Sequence, residues 1–271
     1  MFDKIFKPKK ISLPNGKVVL QQRSRIPLII LALIVSIIIS IEFTGFKLSV
    51  VINKGYQFFV IIGDMIPPKW EYLSNIWKPL MDTIKMSLFG SLVGALCAVP
   101  AAILASSNII KSKIIVFLSK VFLSVLRTLP TLVSALIATF IFGLGTMAGT
   151  VAIFLFTLAY VGKLLYEQIE NADMGPFEAM ESAGMTRVQA FRHAVFPQVL
   201  PNFLSTSLFA FEGNVRYAAI LGYVGAGGVG LLLDESLGWR DYPATGMILF
   251  ILIITVFIIE RISEHFRKKL I

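Results

Sequence analysis

The sequence predicts an all-α membrane protein, a polytopic bundle of about six spanning helices behind a short basic segment. Three observations predict it. Of the 271 residues, 56% are hydrophobic and only 15% are charged, where a soluble domain carries about 25% charged residues. The mean hydropathy is +0.80. The apolar residues collect in runs close to the ~20 residues that a hydrocarbon core requires. These features argue against a soluble enzyme, a disordered chain and a nucleic-acid-binding domain. The net charge of +9 arises from 25 Lys and Arg against 16 Asp and Glu, and in a membrane chain the placement of those charges matters more than their sum. The single cysteine, Cys97, leaves no internal disulfide and no multi-cysteine metal site; it reads as an inert packing residue.

Taken in order, the chain opens with a basic segment, 1–25. Residues 26–43 form the first predicted span. The run is long, and no A-x-A-like cleavage site follows it, so it reads as retained rather than as a signal peptide. Residues 44–79 mix aromatics with Lys and Pro, and 47–62 has the composition of an interfacial amphipathic helix. The core then runs over 80–271, with spans expected at 80–106, 114–142, 147–165, 200–221 and 244–259. The third run, 114–142, would make a helix of roughly 43 Å, with Lys120 and Arg127 in its first half and Pro130 after them. A cation at mid-bilayer costs at least about 2.5–3.5 kcal/mol. The stretch up to Arg127 is therefore expected near the interface, with the crossing further on and both cations snorkelling.

With the N-terminus inside and six crossings, the inner segments hold 15 Lys and Arg and the outer segments hold 5. That asymmetry predicts both termini in the cytoplasm.

One inner segment, 175–197, reads GPFEAMESAGMTRVQAFRHAVFP. Its signals describe two short helices joined at a sharp corner. Pro176 suits a first helical position, where its missing N–H is not needed. Gly184 suits the left-handed residue that closes a helix. Thr186 and Gln189 have capping-box spacing. An exposed helical corner between spans is either a plain connecting loop or a docking element for a cytoplasmic partner.

These residues carry a resemblance. The segment resembles the EAA loop of ATP-binding-cassette (ABC) importer permeases of type I, with Glu178, Ala179, Gly184 and Pro197 at the family spacing. Met180 replaces the second Ala, Ala194 an Ile and Phe196 a Leu. Further matches are LRTLP at 126–130, FGLG at 142–145, GKL at 162–164, FPQVLP at 196–201, FEGNVR at 211–216 and VGAGGVG at 224–230. The set is most similar to phosphonate-type permeases and covers about 80–271; the first 79 residues match only loosely. The resemblance implies a type I ABC importer transmembrane domain in a bacterial cytoplasmic (inner) membrane. It implies that Glu178, Ala179, Met180, Gly184 and Pro197 belong to a coupling helix seated on an ABC ATPase dimer. It further implies an extracytoplasmic substrate-binding protein, a second permease copy (a homodimer) and a phosphonate or related oxyanion as cargo. No cofactor would be bound by this chain, with ATP-Mg on the ATPase partner.

GAGGVG at 225–230 formally matches G-x-G-x-x-G, but it follows a span where a dinucleotide site needs a preceding strand. Gly225, Gly227, Gly228 and Gly230 read either as close-packing small residues or as a reshapeable wall of the pathway. Glu212, Asn214 and Arg216 form a polar cluster in the fifth span. Glu212 and Arg216 are one turn apart and able to pair. Alternatively, Arg216 lends positive potential to an anion's route, with Asn214 as a donor. No Walker-type G-x-x-x-x-G-K-[ST] occurs, so energy must come from another chain or from an ion gradient. An ion-driven secondary transporter would need intramembrane acids or inverted repeats, and only Glu212 qualifies. A membrane enzyme would need clustered acids and histidines, yet His193 and His265 stand far apart; no catalytic or metal-binding set is expected.

Overall fold

In the computed structural model, residues 9–12, 18–21 and 26–270 are described. Most of the basic segment 1–25, with five of its seven predicted inner cations, therefore lies outside the described residues. The chain divides into two compact units, 1–60 and 61–271.

The first unit departs from the all-helical expectation at one place. Strands β1 (Lys9–Ser12) and β2 (Val18–Gln21) pair antiparallel, with Lys9 opposite Gln21 and Ser12 opposite Val18. Helix α1 (Ile26–Thr44) follows. Its 19 residues reach ~28 Å and are apolar around the whole circumference, the pattern of a lipid-surrounded span. The stretch expected to be interfacial forms two short helices, α2 (Leu48–Lys54) and α3 (Tyr56–Asp64).

In the second unit, a 3₁₀ turn (Trp70–Tyr72) leads into α4 (Leu73–Ala105). The long apolar run after it is broken. Helices α5 (Lys113–Thr128) and α6 (Thr131–Phe142) meet at a 91° bend at Leu129 and Pro130. Lys120 and Arg127 of α5 are accommodated by different means. Lys120 pairs with Glu170 at 2.8 Å, whereas Arg127 is exposed on the last turn of α5. Helix α7 (Thr146–Glu170) returns alongside α4.

The α4–α7 contact is the central seam of the bundle, and glycine makes it possible. A Cβ on Gly90 would lie 2.8 Å from the Ile153 side chain, and one on Gly94 would lie 2.9 Å from the Phe154 carbonyl oxygen. Gly90 and Gly94 form a G-x-x-x-G pair, the spacing that lets two membrane helices approach backbone to backbone. Cys97 sits on the exposed face of α4, away from the packed core.

The chain then turns through α8 (Gly175–Ser182) and α9 (Arg187–Ala190), passes a single π turn (Phe191–Val195) and continues as α10 (Phe196–Leu221). Pro197 cannot donate to the carbonyl of residue 193. The helix widens into the π turn just before it, and the segment Arg187–Val224 stays continuous. A 3₁₀ turn (Gly222–Val224), α11 (Val229–Gly238) and α12 (Tyr242–Leu270) complete the unit. Among the described residues, five helices are long and apolar enough to span, or six if the bent α5–α6 pair counts as one. The main core joins α4, α7, α8 and α10 through Ala98, Ala102, Val161, Leu165, Phe177 and Val199.

Candidate functional site

The structure contains the predicted corner, feature by feature. The Asp173 carboxylate accepts from the Gly175 N–H at 2.9 Å at the start of α8, and Pro176 lies in its first turn. At the end of α8, the Met185 N–H donates to the Met180 carbonyl at 3.1 Å, and the Gly184 N–H to the Glu181 carbonyl at 3.0 Å. This is a Schellman closure, which needs a left-handed residue, and Gly184 supplies it at φ +90°. Thr186 then caps α9. Its Oγ1 accepts from the Gln189 N–H, while the Gln189 side chain accepts from the Thr186 N–H at 3.0 Å.

The corner is anchored on one side and bare on the other. Phe177 is 1% exposed in the core. Arg187 donates to the Asn108 carbonyl at 3.2 Å, lies 3.6 Å from Glu181 and stands 5.5 Å over the Phe177 ring. Asn108 in turn donates to the Ile169 carbonyl at 2.7 Å. Glu170 accepts from the backbone and hydroxyl of Ser107 and from Lys120. Gln198 and Asp173 exchange two hydrogen bonds. The α4–α5 loop, the end of α7 and the corner are thereby one tied body. On the outer side, Glu178 and Ala179 are exposed, Met180 is half-buried, and Val188 is 77% exposed. Arg187 and Asn108 are functional candidates that the sequence did not single out, because their contact joins residues 79 positions apart.

The second cluster lies on α10. Glu212 is 3% exposed and its two oxygens face two arginines. One accepts from Arg216, a turn along the same helix; the other accepts from Arg267 of α12 at 3.3 Å. Arg216 is half-exposed at the edge of a cavity of about 410 Å³ whose walls include Phe156, Tyr160, Phe209, Gly213 and Tyr217. Phe156 and Tyr160 stack with centroids 5.7 Å apart, and Phe156 meets Tyr217 at 5.8 Å. Asn214, in contrast, is buried and does not line this cavity. At 1% exposure, its side-chain amide donates to the Ser91 and Thr157 hydroxyls, both at 2.8 Å, and Ser87 donates to its backbone carbonyl. Asn214 knots α4, α7 and α10 together. Arg267 and the aromatic wall carry no local sequence signal; by sequence, Arg267 is only one of the inner charges.

The glycine segment is a packed joint. A Cβ on Gly230 would sit 2.1 Å from the Ala219 carbonyl oxygen. Gly225, Gly227 and Gly228 all take positive φ, which lets the chain fold back so that the Gly145 N–H donates to the Gly225 carbonyl and the Val229 N–H to Thr83.

Comparison with known proteins places this arrangement. The family model for the binding-protein-dependent transport system inner membrane component matches residues 90–271. The chain belongs to this family. Within it, the permease is 32% identical over 208 residues to the phosphite transport system permease protein PtxC of Stutzerimonas stutzeri, covering 77% of this chain and 76% of that one. It is 33% identical over 208 residues to the phosphate-import permease protein PhnE of Mycolicibacterium smegmatis, covering 76% of this chain but spanning only 39% of that protein. In fold, the permease resembles a chain of the inward-facing MetNI methionine ABC transporter, with a TM-score of 0.66 at 18% identity over 75% of this chain and 99% of that one. It is thus a multi-span membrane permease component of an importer, with the fold of type I ABC transmembrane domains.

Proposed function

We propose that this permease forms half of the pore of an ATP-driven importer in a bacterial cytoplasmic membrane. Its cargo would be phosphonate or a related phosphorus oxyanion such as phosphite or phosphate. A pair of ABC ATPases would carry the ATP-Mg and seat against the exposed side of Glu178, Ala179, Met180 and Val188. An extracytoplasmic binding protein would deliver the anion, and a second copy of this chain would complete the pore. Both termini would be cytoplasmic, following the excess of inner Lys and Arg. ATP-driven closure of the ATPases would push on the corner, and rigid-body rocking would switch access across the membrane.

The observation that carries this reading is one continuous helical segment, Arg187–Val224, with the bare-faced corner at its start and Arg216 beside a cavity further along. A push at the corner has a stiff path to the charge that an anion would meet. Gly184 sets the corner's angle and Pro197 the π turn behind it. Arg216 would line the route, with Glu212 buried behind it rather than lining it; Asn214 would hold its wall, and the 225–230 segment would form a close-packed joint beside it. The relatives that transport phosphite and phosphate support the cargo class.

The test is uptake in proteoliposomes holding the permease with its cognate ATPase and binding protein. ATP-dependent entry of labelled methylphosphonate, phosphite or phosphate, absent without the ATPase, is the expected result. Uptake driven by a proton or sodium gradient with no ATPase present would replace this reading with a secondary transporter. ATP-driven uptake of a different solute would keep the permease and overturn the cargo.

A further inference from the structure

The geometry points to a transient oxyanion site in the aromatic cavity between α7 and α10, with Arg216 as its ligand and Arg267 of α12 as the positioning residue that makes Arg216 available. This inference rests on the reading of the chain as an oxyanion permease and adds to it a defined site, a ligand class and a residue outside the route.

Arg216 is the only charged residue among those lining the cavity. The other walls are rings, the small Gly213 and short apolar groups, so an anion entering there has one cation to meet. Its guanidinium uses one nitrogen toward Glu212, and the remaining donors have no partner among the described residues. A guanidinium presents five donors in a planar fork that matches a phosphorus oxyanion two bonds at a time. Tyr160 and Tyr217 bring hydroxyls that likewise have no hydrogen-bond partner among the described residues. The stacked Phe156 and Tyr160 rings offer an apolar surface to a carbon substituent on phosphorus. The ligand class is therefore a small phosphorus oxyanion, with room for an organic group.

A simple Glu212–Arg216 pair would make a poor site. The pair is neutral, and an anion that drew Arg216 away would strand a buried carboxylate, which is strongly unfavourable. Arg267 removes that obstacle. It holds the other oxygen of Glu212 at 3.3 Å and stands 5.5 Å over the Phe209 ring. One carboxylate facing two arginines leaves a net charge of +1. Glu212 keeps a partner when Arg216 swings toward the cavity. Arg267 itself does not line that cavity, so it acts through Glu212 and never touches the anion.

The experiment measures ATP-driven uptake of labelled methylphosphonate and phosphite, below saturation, by the reconstituted complex, normalised to assembled complex. The variants are Arg267→Ala, Arg267→Lys, Glu212→Gln and the double variant Glu212→Gln/Arg267→Ala. Arg267→Ala leaves Glu212 to Arg216 alone, and uptake should fall about tenfold or more. Arg267→Lys keeps the charge and most of the uptake. The double variant should recover several-fold over Arg267→Ala, because a neutral amide in place of the carboxylate needs no cation and frees Arg216. A purely structural Arg267 predicts a double variant no better than Arg267→Ala; that result, or full uptake by Arg267→Ala, overturns the inference. If Arg267→Ala does not assemble, Glu212→Gln is compared with the double variant: matching uptake supports the relay, and a further loss in the double overturns it. If the wild-type complex carries a different anion, the cargo reading fails while the same rescue with that anion upholds the relay. A complex that carries only neutral or cationic solutes overturns both.

Discussion

The corner at 175–195 and the charged cluster around Glu212 lie on the same stretch of chain, and both are anchored to distant residues, but different bonds give them their shape. The corner takes its shape from bonds between near neighbours: Gly175 to Asp173, Met185 to Met180, Thr186 to Gln189. The cluster takes its shape from partners far away, with Glu212 reaching Arg267 and Asn214 reaching Ser91 and Thr157. Under the proposed function, a corner that must keep one form while an ATPase pushes on it would be served by local closure. A cluster whose partners sit on other helices exists only when those helices meet.

Four substitutions test the contrast, from the largest effect to the smallest. Phe177→Ala removes the one large side chain of α8 that is fully buried. It should cost about 3–5 kcal/mol, read as a lower melting temperature of the purified permease and loss of co-purifying ATPase. An unchanged melting temperature would show that local bonds hold the corner without its anchor. Asn214→Ala strands two buried hydroxyls and should cost about 1–3 kcal/mol. Combining it with Thr157→Ala should cost less than the sum of the two, whereas strict additivity in thermal unfolding would dissolve the proposed knot. Gly184→Ala forces a left-handed alanine and should cost about 1–2 kcal/mol. Nothing lies within 4 Å of the added carbon, so the effect is backbone strain alone; it should appear as weaker coupling of ATP hydrolysis to uptake. Thr186→Ala removes the cap of α9 and should cost about 1 kcal/mol, with the bundle's unfolding unmoved and Thr186→Ser restoring the loss. A comparable shift of the whole bundle by Thr186→Ala would mean that the corner and the bundle are less separable than their bonding suggests.

The same contrast explains which features could be read in advance. Capping, left-handed closure and the proline position are set within a few residues, so Pro176, Gly184, Thr186 and Gln189 announced the corner directly. Lys120 and Arg127 mark the first half of the 114–142 run as unsuited to mid-bilayer, but length and charge do not dictate the 91° break itself, since α4 is longer, carries Lys78 and Lys85 and stays one helix. Asn214 was read as a possible donor to an anion, since its type and span suggested it; its placement in a buried knot depends on Ser91 and Thr157, which no local pattern names. Arg187 and Arg267 were read as topological charges, and their bonds to Asn108 and Glu212 emerge only from packing. The β1–β2 hairpin was missed because two four-residue strands in a basic, polar segment carry almost no periodic signal.

By itself the sequence determined that this chain lives in a membrane, roughly where it crosses, how the corner closes and which family it joins. Each of these follows from apolar length, from chemistry between near neighbours or from motif spacing. Tertiary structure alone decided that Glu212 is shared between two arginines, that aromatic rings from α7 and α10 wall a cavity, and that Gly90 and Gly94 seat α4 on α7. The physical reason is range: hydropathy and capping act within a turn or a span, whereas a buried carboxylate or a close helix contact acquires its partner only when distant segments pack.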